Sequence, residues 1–301
     1  TRLLFSYENP VTIADEVSDE TVAMIKEDKK TYLGADVRIV AYREYVDSTI
    51  APHILGTVRK INAEEYNDKK DDGYKITDQI GESGIERACE SELRGTPGEL
   101  TITISKDGTV SQEITKKPIQ GNTVVLTIDR DLQVLAQKRL ASVCNKVNAA
   151  SSAGAVVVED VNNGDLLAAA SYPTYDLNDY YDKYDELISN PRNPLWSRFA
   201  MGTYAPGSTF KPVVASASLE EGSISSDTIF NCGGRMKYRG QPFKCLRGNA
   251  HGGENVKTAL RDSCNIFFYN CAMRVGISKI DEYASAFGLG EKTGVEIAES
   301  A

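Results

Sequence analysis

Apolar and polar residues change rhythm along this chain near Gly121. Before that point the elements are short. Asp15–Lys29 is acidic and helix-friendly, Val37–Tyr45 has strand character, and Ser48–Ile61 carries a small helix with Gly56. Asn67–Gly73 is charged and turn-rich and reads as a solvated loop. Thr101–Ser105 and Thr109–Thr115 alternate polar and apolar residues around Lys106-Asp107-Gly108, which predicts a hairpin. After Gly121, Asn122–Asp129 reads as a strand, with Asp129 placed to cap a helix behind it. Residues 131–147 keep a helical period that sets Leu132, Leu135, Arg139, Val143 and Val147 on one face. Ala153–Val161 and Asp165–Ser171 read as antiparallel strands joined by the turn Asn162-Asn163-Gly164. A run of helices comes next. The pattern predicts an α+β fold with helices packed on an antiparallel sheet, divided into residues 1–120 and 121–301.

Composition narrows the function. With 301 residues and 41% hydrophobic content, the chain is long enough for two domains. Its net charge of −9 argues against a general nucleic-acid binder, which presents a basic surface. No segment approaches the roughly 20 apolar residues of a membrane span. The chain opens at Thr1 without an initiator Met, signal peptide or anchor and stops at Ala301, so it reads as a piece of something longer. Six cysteines do not make a disulfide scaffold. Cys89, Cys144 and Cys271 read as small buried apolar residues.

Chemistry concentrates after residue 200. In Tyr204-Ala205-Pro206-Gly207-Ser208-Thr209-Phe210-Lys211-Pro212, a Pro-Gly turn leads into an apolar run from Val213 to Leu219 that reads as a buried helix. Ser208 then sits at a helix N-terminus, where amides and dipole favour a developing negative charge. Lys211 lies three residues on and shares its helix face. A lysine kept neutral by desolvation can take the proton from a serine hydroxyl. Pro212 removes the amide that would bond back to Ser208, so the first turn is expected to be irregular. Alone, Ser-x-x-Lys is an N-cap serine with a solvated lysine. Fifty-five residues on, Ser263-Cys264-Asn265 supplies the Ser-x-Asn element that accompanies it in penicillin-recognising enzymes. Residues i and i+2 of an unbroken helix point about 200° apart, so this motif requires a junction near Asp262–Cys264. A new helix is expected from about Asn265 to Val275, capped by Asp262 or Ser263.

These segments resemble the class B penicillin-binding proteins over most of the chain. Tyr204–Pro212 is similar to the family's nucleophile segment and Leu260–Tyr269 to its second motif. Val124–Gln133 is similar to the entry strand and helix of its transpeptidase domain, and Gly81–Gly98 to the segment linking an N-terminal module to that domain. The resemblance implies an elongated N-terminal dimerisation or assembly (pedestal) module followed by a C-terminally incomplete transpeptidase domain. It implies a serine D,D-transpeptidase that cross-links peptidoglycan stem peptides through an acyl-enzyme and is acylated by β-lactam antibiotics. Ser208 would be the nucleophile and Lys211 the base. Ser263 would shuttle the proton, and Asn265 would hold Lys211 and the peptide. No cofactor is required for that chemistry. A membrane glycosyltransferase of the cell-wall machinery is the implied partner. The implied location is the extracytoplasmic face of the cell membrane, through an N-terminal anchor absent from this chain. Two alternatives stand beside it: a non-catalytic assembly scaffold, and a β-lactam sensor or serine β-lactamase.

Lys292-Thr293-Gly294 spells the family's third motif but comes after Phe287-Gly288-Leu289-Gly290-Glu291, a helix end with no strand leading in. The family's functional Lys-Thr-Gly lies on a strand much further along, so Lys292 is expected in a loop away from Ser208. The true third motif is then expected beyond Ala301, leaving this fragment without one wall of the site. Between the two accepted motifs lie Cys232, Cys245 and His251, which with Cys264 inside the second motif form a set suited to tetrahedral zinc, which would be structural. A Cys232–Cys245 disulfide, or free thiols with a hydrogen-bonded histidine, remain open. His53 reads as structural.

Overall fold

The computed structural model describes residues 13–14, 17–37, 43–104, 110–150 and 152–300. Packing divides the chain into two compact units, Thr1–Glu44 and Tyr45–Ala301. In the first, helix α1 (Asp19–Glu27) is capped by Ser18, whose hydroxyl accepts from the Thr21 amide. Asp19 and Glu20 occupy its first turn, where the dipole favours acids, and none of its residues is buried. Most of the strand expected over Val37–Tyr45 lies outside the described residues.

The second unit opens with α2 (Pro52–Leu55), β1 (Val58–Lys60), α3 (Ala63–Lys69), β2 (Gln79–Gly81), α4 (Gly84–Ala88) and α5 (Glu90–Leu93). Strands β1 and β2 pair antiparallel, with Arg59 opposite Ile80. Residues 67–73, expected as a loop, instead finish α3 and form a 3-10 turn over Lys70–Asp72. The reason is a capping box upstream: Asn62 accepts from the Glu65 amide while the Glu65 carboxylate accepts from the Asn62 amide. Strands β3 (Glu99–Ile104) and β4 (Val110–Lys116) form the expected hairpin, Thr101 facing Glu113, although its Lys106-Asp107-Gly108 turn lies outside the described residues.

Packing and sequence texture divide the chain at different places. Ala51 and Ile54, far upstream of Gly121, are buried against Ala169, with Leu126, Ile128 and Phe199 around them. His53 is also buried here, its Nε2 2.7 Å from the Pro194 carbonyl and its ring edge-on to Tyr175.

Residues 122–129, read as a strand, form none. Only the Thr127 hydroxyl and the Asp129 amide reach the carbonyls of Leu166 and Leu167. Asp129 does cap α6 (Arg130–Asn148), accepting from the Leu132 amide. The face of α6 that packs is not the leucine and valine stripe. Gln133, Ala136 and Cys144 are buried, while Leu135, Val143 and Val147 are exposed. Strands β5 (Gly154–Glu159) and β6 (Leu166–Tyr172) pair antiparallel as the turn residues predict, Val157 opposite Ala169. The fully buried Gln133 side chain bonds the outer edge of β6 twice. Its Nε2 donates to the Ala169 carbonyl and its Oε1 accepts from the Ala169 amide, both at 2.8 Å. Gln137 extends this stitching, accepting from Gln133 and from the Ala51 amide and donating to the Thr49 carbonyl.

Helices α7 (Tyr184–Ser189) and α8 (Arg198–Met201) lead to α9 (Lys211–Glu220). Next come strand β7 (Phe230–Cys232), hairpin β8 (Arg235–Tyr238) and β9 (Gln241–Lys244), and strand β10 (Gly252–Glu254), with β10 pairing antiparallel to β7. Helices α10 (Val256–Arg261), α11 (Asn265–Val275) and α12 (Ile277–Ala286) complete the described elements. Phe267, Cys264, Ala259 and Cys271 are fully buried in one core with Val214 and Ala215 of α9. Mixed helices and antiparallel strand pairs give the α+β architecture that the hydrophobic pattern predicts. No helix among the described residues is long and apolar enough to cross a membrane.

Candidate active site

Ser208 lies on a 3-10 turn, Gly207–Phe210, that feeds directly into α9. Pro212 sits at the start of the α-helix, where its missing amide costs nothing, and the turn before it is tightened as the sequence predicts. This leaves the Ser208 side chain exposed while Lys211, the first residue of α9, is only 9% exposed. The second motif comes from the junction of α10 and α11. Asp262 ends α10, Ser263 adopts a left-handed conformation with φ 53°, and Cys264 is extended before Asn265 opens α11. A left-handed residue other than glycine costs about 1 kcal/mol. Here it turns the carbonyl and the hydroxyl of Ser263 onto the same amine. The cap of α11 is Cys264, whose sulfur accepts from the Phe267 amide, and neither Asp262 nor Ser263 fills that place. Ser263 is committed elsewhere.

Lys211 Nζ donates to the Ser263 carbonyl at 2.7 Å, to Ser263 Oγ at 2.8 Å and to Asn265 Oδ1 at 2.7 Å. These three acceptors match the three donors of an ammonium. Ser263 Oγ in turn bonds Ser208 Oγ at 2.8 Å. The nucleophile and the amine are therefore linked through Ser263; among the described residues no direct bond between Ser208 and Lys211 is formed. Burial lowers the lysine pKa from its ordinary value, opposed by the Cys245 and Cys264 sulfurs nearby. The amine is thus easier to deprotonate than a surface lysine. The four residues expected at the site, Ser208, Lys211, Ser263 and Asn265, stand together in one hydrogen-bonded chain. Lys292, Thr293 and Gly294 take no part in it. They lie exposed in the loop after α12, where Glu299 accepts from the Thr293 hydroxyl and the Gly294 amide.

Cys232, Cys245, His251 and Cys264 converge beside this junction, their ligating atoms all within 4.8 Å of one another. His251 Nδ1 is 3.6 Å from the Cys232 sulfur and 3.5 Å from the Cys245 sulfur, and the Cys245 and Cys264 sulfurs are 3.9 Å apart. A tetrahedral zinc with Zn–S near 2.3 Å sets sulfurs about 3.8 Å apart, so the donor set fits the ion in spacing as well as in chemistry. All six cysteines are free thiols. Burial pushes the Cys245 thiol up, but the amides of Ile266 and Asn265 at the start of α11, with Cys232, outweigh it and bring it down to about 7. Burial pushes the Cys264 thiol up to about 12.

Two family models cover most of the chain. The penicillin binding protein transpeptidase domain matches residues 154–301, and the penicillin-binding protein dimerisation domain matches residues 4–126. The chain belongs to the class B penicillin-binding proteins. It is 31% identical to the peptidoglycan D,D-transpeptidase MrdA of Escherichia coli K12 over 96% of its own length and 46% of that protein. It is 30% identical to the MrdA of Acinetobacter baumannii over 95% of its length and 43% of that protein. Among solved structures, a penicillin-binding protein (PBP2) from Helicobacter pylori superposes with a TM-score of 0.72 at 29% identity, covering 86% of this chain and 48% of that one. A chain described under the coordination of polymerisation and cross-linking by a peptidoglycan synthase complex superposes with a TM-score of 0.75 at 29% identity, over 85% of this chain and 47% of that one. The chain thus spans about half the length of the relatives it matches.

Proposed function

We propose that this chain carries the acylation half of a serine D,D-transpeptidase site that cross-links peptidoglycan stem peptides. The carrying observation is the continuous relay from Lys211 Nζ through Ser263 Oγ to Ser208 Oγ. In the attacking state Lys211 is neutral. The Ser208 proton passes to Ser263 and the Ser263 proton to Lys211 as Ser208 Oγ bonds the carbonyl of a D-Ala-D-Ala-type donor. Reversal of the same relay protonates the leaving amine of the terminal D-Ala. An amine of a second stem peptide then attacks the acyl-enzyme, returning the serine. Asn265 Oδ1 and the Ser263 carbonyl hold the amine on the relay throughout. The Ser208 amide, at the start of the 3-10 turn, is placed to favour the oxyanion.

In this reading residues 1–120 form the assembly module and 121–301 the transpeptidase domain. The protein works at the extracytoplasmic face of the membrane beside a glycosyltransferase. The solved relatives support that setting: one is a complex of PBP2 with MreC from Helicobacter pylori, and another belongs to a peptidoglycan synthase complex. Cys232, Cys245, His251 and Cys264 would hold a structural zinc that fixes the Cys232–Cys245 loop to the start of α11, and the chemistry at Ser208 needs no cofactor. Fluorescent penicillin tests the proposal. The full-length protein should be labelled covalently and its Ser208→Ala variant should not; labelling that survives Ser208→Ala, or labelling of neither, would overturn it.

A further inference from the structure

The hairpin β8–β9 is charged in a way the fold does not need. From Gly233 to Gly253 the chain holds Arg235, Lys237, Arg239, Lys244 and Arg247 and no carboxylate, in a protein of net charge −9. All five cations are exposed, and among the described residues none is paired with an acid. Arg235 faces Lys244 directly across the hairpin. Like charges at opposed positions destabilise a strand pair. Selection for stability alone would place an acid at one of the two.

The hairpin is also two-faced. Met236 and its cross-strand partner Phe243 point one way: Met236 packs on the core beneath, and Phe243 meets the Tyr269 ring at 5.6 Å. Alternation along a strand turns Arg235, Lys237 and Lys244 to the opposite face. Arg239 at the tip lies 5.5 Å from the centre of the Tyr238 ring, which leaves its donors unspent. The base is firm. The Cys245 amide donates to the Gly234 carbonyl, and the buried Cys232 and Cys245 bound the segment. It also abuts the relay, because Asn265 Nδ2 donates to the Lys244 carbonyl at 3.4 Å.

We propose that this cationic face receives the free carboxylates of the stem peptide and guides the donor toward Ser208. The inference rests on the transpeptidase reading and adds to it a set of substrate-binding residues, Arg235, Lys237 and Arg239. Charge complementarity selects the occupant. A peptide with several free carboxylates matches an unpaired row of cations beside a serine nucleophile, and steering of this kind raises the encounter rate. A membrane surface fits less well, since Met236 packs on the core and Phe243, on the same face, meets the Tyr269 ring, which sets them on the side opposite Arg235, Lys237 and Lys244.

The test compares a soluble muropeptide bearing an uncross-linked stem peptide with the same molecule after its carboxylates are amidated. Binding is followed by calorimetry at low and high salt. The native muropeptide should bind roughly tenfold more tightly than the amidated one, and added salt should erase the difference. The triple variant Arg235→Gln, Lys237→Gln, Arg239→Gln should bind both forms alike, while Arg235→Lys with Arg239→Lys should keep the preference. Equal binding of the two muropeptides by the unaltered protein overturns the proposal, whatever the folding of the variants. So does preference for anionic phospholipid vesicles over muropeptide, which would assign the face to a membrane. Penicillin labelling is read separately. Its failure in the unaltered protein counts against the acylation site, whereas equal muropeptide binding with labelling intact counts against the cationic face alone.

Discussion

Replacing Ser263 with alanine isolates the relay from the rest of the site. Among the described residues the Ser263 hydroxyl is the one group bonded both to Lys211 Nζ and to Ser208 Oγ, each at 2.8 Å. Two such legs meeting at a hydroxyl leave amine and nucleophile on the order of 4.5 Å apart once it is removed, beyond hydrogen-bond reach. Lys211 would keep the Ser263 carbonyl and Asn265 Oδ1, so its position should change little. What disappears is the path for the proton. General acid–base catalysis contributes about 100- to 10,000-fold, equivalent to roughly 3–5 kcal/mol of barrier. A water entering the gap would restore a part of this, which puts the expected loss near 100-fold. The assay is the second-order rate of acylation by fluorescent penicillin, with a thermal melt of the same sample. Alanine tolerates the left-handed backbone about as well as serine, so the melting temperature should move by only a few degrees. Acylation within about threefold of the unaltered protein, with the fold intact, would refute the relay and require a direct path from Ser208 to Lys211.

Three further outcomes are expected. His53 is buried and held neutral, its pKa lowered to about 4 chiefly by desolvation and also by Arg198, against the bond to Pro194 that raises it. The unfolded chain binds the extra proton first as pH falls, so stability should be full above about pH 6.5 and decline by about 3 kcal/mol toward pH 4. Chemical denaturation across that range should show the slope, and His53→Gln should flatten it; an unchanged slope would refute the assignment. Gln133→Leu should cost about 2–4 kcal/mol by stranding the Ala169 amide and carbonyl, read as a lowered denaturation midpoint, and a neutral result would mean that water replaces the side chain. Purified protein should contain one zinc per chain by elemental analysis and melt lower after chelation; metal-free protein with an unshifted melt would remove the zinc reading.

The site is more legible in the sequence than the fold around it. Ser208, Lys211, Ser263 and Asn265 come from two short motifs because each needs its residue types at fixed spacing, and the i, i+2 geometry forces a junction at Ser263. The order of the relay is not legible, since it depends on the left-handed turn at Ser263 that swings its hydroxyl between the other two. The cap of α11 escapes for a related reason: a cysteine sulfur is a weak acceptor, and sequence reasoning ranks Asp262 and Ser263 above it. On α6 the apolar stripe misleads. The helix meets β6 through Gln133, whose side chain bonds the Ala169 backbone, a contact that a leucine or valine at that position could not make. Residues 122–129 have strand composition, yet where they run beside β6 the Ala169 edge groups are already taken by Gln133.

That glutamine also gives the β5–β6 pair a direction. A strand edge is a template, because its alternate amides and carbonyls accept any extended segment that matches their spacing. On the β6 side the Gln133 side-chain amide imitates one residue of a neighbouring strand, and Thr127 and Asp129 take the Leu166 and Leu167 carbonyls beside it, which blunts that edge. Among the described residues the β5 side has no such stopper; it borders a groove of about 300 Å³ lined by Val157, Arg198, Phe199 and Tyr204. Any strand that joins this sheet, whether from the same polypeptide or another, has to arrive at β5. The two edges differ in what already occupies them, so the sheet can be extended from one side alone.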